Sequence, residues 1–172
     1  MARVNREGLL LIVCILSAGL LVGAVGCKNM GKDDKEEGKM AAGPKSLYYR
    51  LGGEKAVAAV VNDFVDAAAA DPKVNFDRKN PPHSKTWDAT PENVAKVKRQ
   101  IAAFVAQATG GPKNYDGANM ADAHRGMEVT DAEFDALAGH LKNTLVKFNV
   151  PQKEQDELMK IVGSTRPDIV GK

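Results

Sequence analysis

Of the three histidines in this 172-residue chain, one stands where a ligand could be held. His124 closes the run GGPKNYDGANMADAHRG, Gly110–Gly126, in which a glycine-bounded loop leads into a short helical stretch from Met120 to Arg125. A neutral imidazole offers one nitrogen lone pair to a metal, and a hydrogen bond at its other nitrogen can fix where that lone pair points. If His124 binds such a group, the chain is a cofactor carrier. If it does not, it is an ordinary helix histidine and little else in the sequence resembles chemistry.

Well-patterned segments flank this stretch and must position it. Ser46–Leu51 reads as a turn or two stopped by Gly52-Gly53. Glu54–Ala70 follows with Val57, Val60, Val61, Phe64 and Val65 at helical spacing. Valine is a mediocre helix former, so burial of that stripe has to hold the element. Thr90-Pro91-Glu92 signals the next helix start: a hydroxyl caps the exposed amides, and proline occupies the first turn at no hydrogen-bond cost. Val94, Val97, Ile101, Phe104, Val105 and Ala108 then repeat at i, i+3, i+4 intervals up to Gly110-Gly111, which predicts a helix with one wholly apolar face.

Thr130-Asp131-Ala132-Glu133 is a capping box opening a helix to Asn149 that carries Phe134, Leu137, Leu141, Leu145 and Phe148. Pro151 starts a last helix burying Leu158, Ile161 and Val162, with Pro167 marking its exit. No strand-length alternation competes with these segments. The expected fold class is therefore all-α, with one core and a folded domain over residues 46–168.

Ahead of that domain, Arg3 and Arg6 precede an apolar, uncharged stretch from Leu9 to Val25. The following LVGAVGC, Leu21–Cys27, resembles a bacterial lipobox, although Ala24 stands where leucine is usual. Residues 1–27 thus read as an export signal lipidated at Cys27, as an uncleaved membrane helix, or as a simple secretion signal. Each reading places the domain at the cell membrane or its extracytoplasmic face. Residues 28–45, with Asp33, Asp34, Lys35, Glu36 and Glu37 in succession, are too polar to bury a core and read as a flexible tether.

Composition narrows the chemistry further. The formal net charge is only +2 and no polybasic block occurs, so nucleic acid is not an expected partner. Cys14 would leave with a cleaved signal, so the mature domain has no cysteine pair for a disulfide or a thiolate metal site. Imidazole is a common axial ligand of haem iron. Because the sequence contains no C-x-x-C-H, any haem would be held noncovalently.

From Ser46 onward the chain resembles a group I truncated haemoglobin, a shortened globin with two helices stacked over two. The resemblance is carried by SLYYRLGGEKAV at Ser46–Val57, VVNDF ahead of Val65, AAFVAQATGGPKNYDG at Ala102–Gly117, NMADAHRG at Asn119–Gly126 and TDAEFDALAGHL at Thr130–Leu141. It implies noncovalent haem b with His124 as the proximal iron ligand. Phe104, Val105, Met120, Phe134, Leu137 and Leu141 would surround the ring or pack behind that ligand, and Phe76 would wedge against the haem. Tyr115 matches a tyrosine common in the family. Lys98 and Arg99 could meet a haem propionate, or simply form a solvated face.

On the distal side the sequence departs from the family. A phenylalanine–tyrosine pair is common in the second helix, but here it is Phe64-Val65, so a hydroxyl donor is missing. Ungapped counting from Phe104 puts Val97 and Ile101 at the other two distal positions, where glutamine often occurs. An apolar distal pocket follows, unless a one-residue shift lets Gln100 restore a donor. The segment between Val74 and Glu92 is longer than the family's usual link and contains His83, a solvated loop residue or a partner for the haem. His140 reads as structural. The resemblance implies reversible binding of a diatomic gas for storage, delivery or sensing, with a reductase as possible electron donor. Nitric oxide dioxygenase or peroxidase-like activity, and a haem-carrying module that never meets gas, are the alternatives.

Overall fold

The computed structural model describes residues 46–79, 81 and 83–172. The signal or anchor over 1–27 and the tether over 28–45 lie outside the described residues. Seven helices occur among those described: α1 (Leu47–Arg50), α2 (Gly53–Ala70), α3 (Pro91–Ala108), α4 (Met120–His124), α5 (Asp131–Lys147), α6 (Gln152–Ser164) and α7 (Arg166–Ile169). No strand is present among them; an isolated parallel bridge pairs Val129 with Val170. None of these helices is long and apolar enough to cross a membrane.

The helix starts form as the sequence predicts. The Thr90 hydroxyl accepts the Asn93 amide at 3.2 Å, with Pro91 in the first turn. Thr130 accepts the Glu133 amide at 3.2 Å while the Glu133 carboxylate accepts the Thr130 amide at 2.8 Å, which completes the capping box. Each device satisfies amides that a helix start leaves without partners.

Packing of α2 against α3 and of α5 against α6, with α2 also lying on α5, gives a two-over-two arrangement. Its centre is the valine stripe of α2: Val57, Val61, Phe64, Val65 and Ala68 are buried together with Val105, Leu141, Leu145 and Leu158. Burial of β-branched side chains offsets the poor intrinsic helix propensity of this segment.

The chain departs from expectation in two places. Phe148 does not join the stripe of α5; the helix ends at Lys147 and the ring is 40% exposed. Nor does Pro167 end the helical run. It occupies the first turn of α7, where a missing N–H costs nothing, and the chain stays engaged to its last residue through Gly171 N–H to Val129 O (2.9 Å) and Glu128 N–H to Lys172 O (2.7 Å).

Candidate haem crevice around His124

The helix that carries His124 has five residues, too few to stand on its own hydrogen bonds. Its start is fixed by Asn119, whose side-chain oxygen accepts the Asp122 amide at 2.9 Å and whose amide group donates to the Asp122 carboxylate at 2.7 Å. The imidazole is partly buried, and its Nδ1 lies 2.8 Å from the Met120 carbonyl. A carbonyl only accepts, so Nδ1 carries the proton and Nε2 keeps its lone pair. Burial, helped by the nearby cations Lys85 and Arg78, holds the imidazole pKa below its ordinary value, against the Met120 carbonyl, which favours the protonated ring. The neutral, ligating form is thereby favoured.

The apolar face of α3 is covered only in part by the chain. On α3, Val94, Val97, Ile101 and Phe104 are half-buried, and only Val105 and Ala106 are buried. Phe104 meets the Tyr115 ring edge-on at 5.7 Å, and the Tyr115 hydroxyl donates to the Ala118 carbonyl at 2.6 Å, one residue before the α4 cap. Gly117 permits this loop, because a Cβ there would collide with the Tyr115 ring. Tyr115 therefore ties α3 to the entrance of α4.

The other expected residues fall into two groups. Met120 and Leu137 are half-buried, and Phe76 is too, packed edge-on against Trp87 at 5.4 Å. Phe134 and Leu141 are buried, and the Arg166 guanidinium sits 4.5 Å over the Phe134 ring while pairing with Asp131 and Asp135. Val65 is completely buried in the core. Gln100 is half-buried, and Lys98 donates to Asp66 at 2.6 Å, an ion pair that joins α3 to α2. His140 bonds Asp71 at 2.8 Å, a structural use.

A family model for bacterial-like globins matches residues 46–170 of this chain. The group 1 truncated haemoglobin of Tetrahymena pyriformis is 33% identical over 129 residues, covering 75% of this chain and 98% of that protein. The group 1 truncated haemoglobin GlbN of Mycolicibacterium paratuberculosis is 31% identical over 74% of this chain and 86% of its own length. The chain belongs to the group 1 truncated haemoglobins. The crystal structure of the Tetrahymena pyriformis protein in its Fe(III) form superposes on this globin with a TM-score of 0.64, at 32% identity, over 74% of this chain and all of that one.

The residues of this globin fit a haem. Among the described residues no group of three or more His, Cys, Asp or Glu could hold a metal ion by itself. A metal at His124 would need its other ligands from elsewhere, as a porphyrin supplies them. The half-buried apolar side chains of α3, and with them Phe76 and Leu137, are of the kind that cover the faces of such a ring.

Sequence reasoning missed the polar cluster behind this globin's α4. Arg78, only 4% exposed, pairs with Glu133 at 2.9 Å and donates to the carbonyls of Met127 (2.9 Å) and Glu128 (3.2 Å). Asn75 donates to Glu133 at 3.1 Å, and His83 lies between Glu128 (3.5 Å) and Glu133 (3.9 Å). Burial works to raise the Glu133 pKa, but hydrogen bonds from the Thr130 amide, Arg78, Asn75 and the Thr130 hydroxyl outweigh it and leave the pKa lowered. That stability is present above the unfolded carboxyl value and disappears as pH falls through the depressed folded one. Glu133→Gln should cost about 2 kcal/mol at neutral pH, since it leaves a buried guanidinium unpaired. Urea titrations from pH 7 down to pH 3 should show the difference from wild type shrinking with acid, and a constant difference would contradict this role.

Proposed function

We propose that this chain is a haem b protein that reversibly binds a diatomic gas, with His124 as the proximal ligand. The reading is carried by one observation: the His124 imidazole bonds the Met120 carbonyl through Nδ1, which leaves Nε2 free to ligate, on a short helix whose entrance Tyr115 ties to the half-buried apolar side chains of α3. Ferrous haem held there would supply a coordination position for oxygen, carbon monoxide or nitric oxide. The protein's part is to hold the ring noncovalently between α3 and α5, to keep His124 neutral, and to line the opposite face with Val97 and Ile101. Ferrous iron is required for reversible oxygen binding, so an electron-donating reductase is the partner this reading calls for.

The sequence of residues 1–27 supports delivery of this globin to the extracytoplasmic face of a membrane, held through a lipid on Cys27. Fractionating cells that express the full chain, then recording ferric, ferrous and carbon monoxide spectra of each fraction, tests both parts. A Soret band that shifts with carbon monoxide should appear in the membrane fraction, and Cys27→Ser should move it to the soluble fraction. A chain without a Soret band in either fraction, after haem supplementation, would refute the haem reading. Membrane retention of Cys27→Ser would refute the lipid anchor.

A further inference from the structure

A helix ends with carbonyls that have no donor of their own, and a five-residue helix has little else. At the end of α4, seven consecutive carbonyls nevertheless each accept a hydrogen bond. His124 O takes the Met127 amide and Val129 O takes the Gly171 amide, both at 2.9 Å. The other five are served by three side chains from the segment between α2 and α3. Lys85 Nζ donates to Ala123 O (3.4 Å) and Arg125 O (3.1 Å), and Ser84 Oγ to Gly126 O (3.2 Å). Arg78 serves Met127 O and Glu128 O.

Two further features show that this segment is shaped for the task. Arg78 and Glu128 both have left-handed backbones, φ 61° and 51°, which non-glycine residues adopt only when their surroundings hold them. Glu128 is gripped on three sides: its amide donates to Lys172 O, its carbonyl accepts Arg78, and its carboxylate meets His83 and shares the single Ser84 hydroxyl proton with Gly126 O. The donors Lys85 and Arg78 are also cations at a helix C-terminus, where the exposed carbonyl dipoles favour positive charge.

We propose that Arg78, Ser84 and Lys85 are positioning residues for His124. They clamp the backbone on the C-terminal side of the imidazole, as Asn119 does on the other, so that Nε2 is held in one direction before and after iron is bound. The segment between Val74 and Glu92 thereby has a use: it carries the donors that a five-residue helix lacks. This inference rests on His124 being the iron ligand.

The test uses the haem-loaded full chain. Arg78 is buried and its loss could unfold the domain, so the diagnostic change is the exposed pair, Ser84→Ala with Lys85→Ala. Amide exchange over residues 123–128 should quicken about tenfold, and haem transfer to an excess of apoglobin about threefold to tenfold, as expected for the loss of three modest hydrogen bonds. The ferrous iron–histidine stretching band, which a merely structural role would not move, should shift to lower frequency. Lys85→Arg should preserve all three values, and Lys79→Ala, which removes only the pair with Asp88 in the same segment, should leave them unchanged. Wild-type exchange, haem transfer and stretching band in the double variant would overturn the clamp. A wild-type haem spectrum in His124→Ala would instead overturn the ligand assignment on which it stands.

Discussion

Replacing His124 with alanine should lower haem affinity about 100-fold or more, because loss of an outer-shell partner alone costs 10- to 100-fold and here the proposed ligand itself would be removed. The fold should survive. His124 lies on a five-residue helix apart from the buried cluster centred on Val61, Val65 and Leu145, and alanine is the better helix former. The one bond lost within the protein is Nδ1 to the Met120 carbonyl. Haem titration followed at the Soret band, beside urea unfolding of the haem-free chains, separates the two effects. Weakened binding at unchanged stability identifies a ligand, and equal losses in both would identify a structural histidine. His124→Gly sharpens the comparison, since added imidazole should restore the spectrum only if a ring nitrogen had been coordinated.

Most of the scaffold was legible in the sequence because its devices are local. A capping box, a proline in a first turn and an i, i+3, i+4 stripe each specify structure within about two turns of chain. Thr90, Thr130 and the valines of α2 therefore behave as their spacing predicts. Pro167 misled because the same residue type that ends one helix can open another, and only the chain after it decides which.

The polar support of the site was not legible, for a different reason. Arg78, Ser84 and Lys85 reach residues about 40 to 50 positions away, and nothing in their own neighbourhood marks them as anything but solvated loop residues. His83 is placed by the same long-range cluster, against Glu128 and Glu133. Lys98, an expected propionate partner, is paired with Asp66 across α2 and α3. Such pairings depend on the tertiary arrangement of segments whose individual patterns are silent about it.

The distal pocket yields the second large effect. In the proposed haem site Val97 and Ile101 would face the gas ligand, so no donor would meet the partial negative charge that oxygen acquires, and a hydrogen bond to a charged group is worth about 1.5 to 3 kcal/mol. Oxygen should therefore dissociate roughly 10- to 100-fold faster than from a globin with such a donor, and discrimination against carbon monoxide should be correspondingly weak. The structure also dictates how to test this. Restoring tyrosine at Val65 would force a ring into a site with 0% exposure, at an overpacking cost of about 1–3 kcal/mol that would confuse the result. Ile101 is only half-buried, so Ile101→Gln can place an amide on the same face without that penalty. Stopped-flow oxygen displacement should show the off-rate falling about tenfold or more in this variant. Gln100→Leu should leave the off-rate at its wild-type value. A slow wild-type rate that Gln100→Leu accelerates tenfold would mean that Gln100 supplies the donor and that the distal register is displaced by one residue along α3.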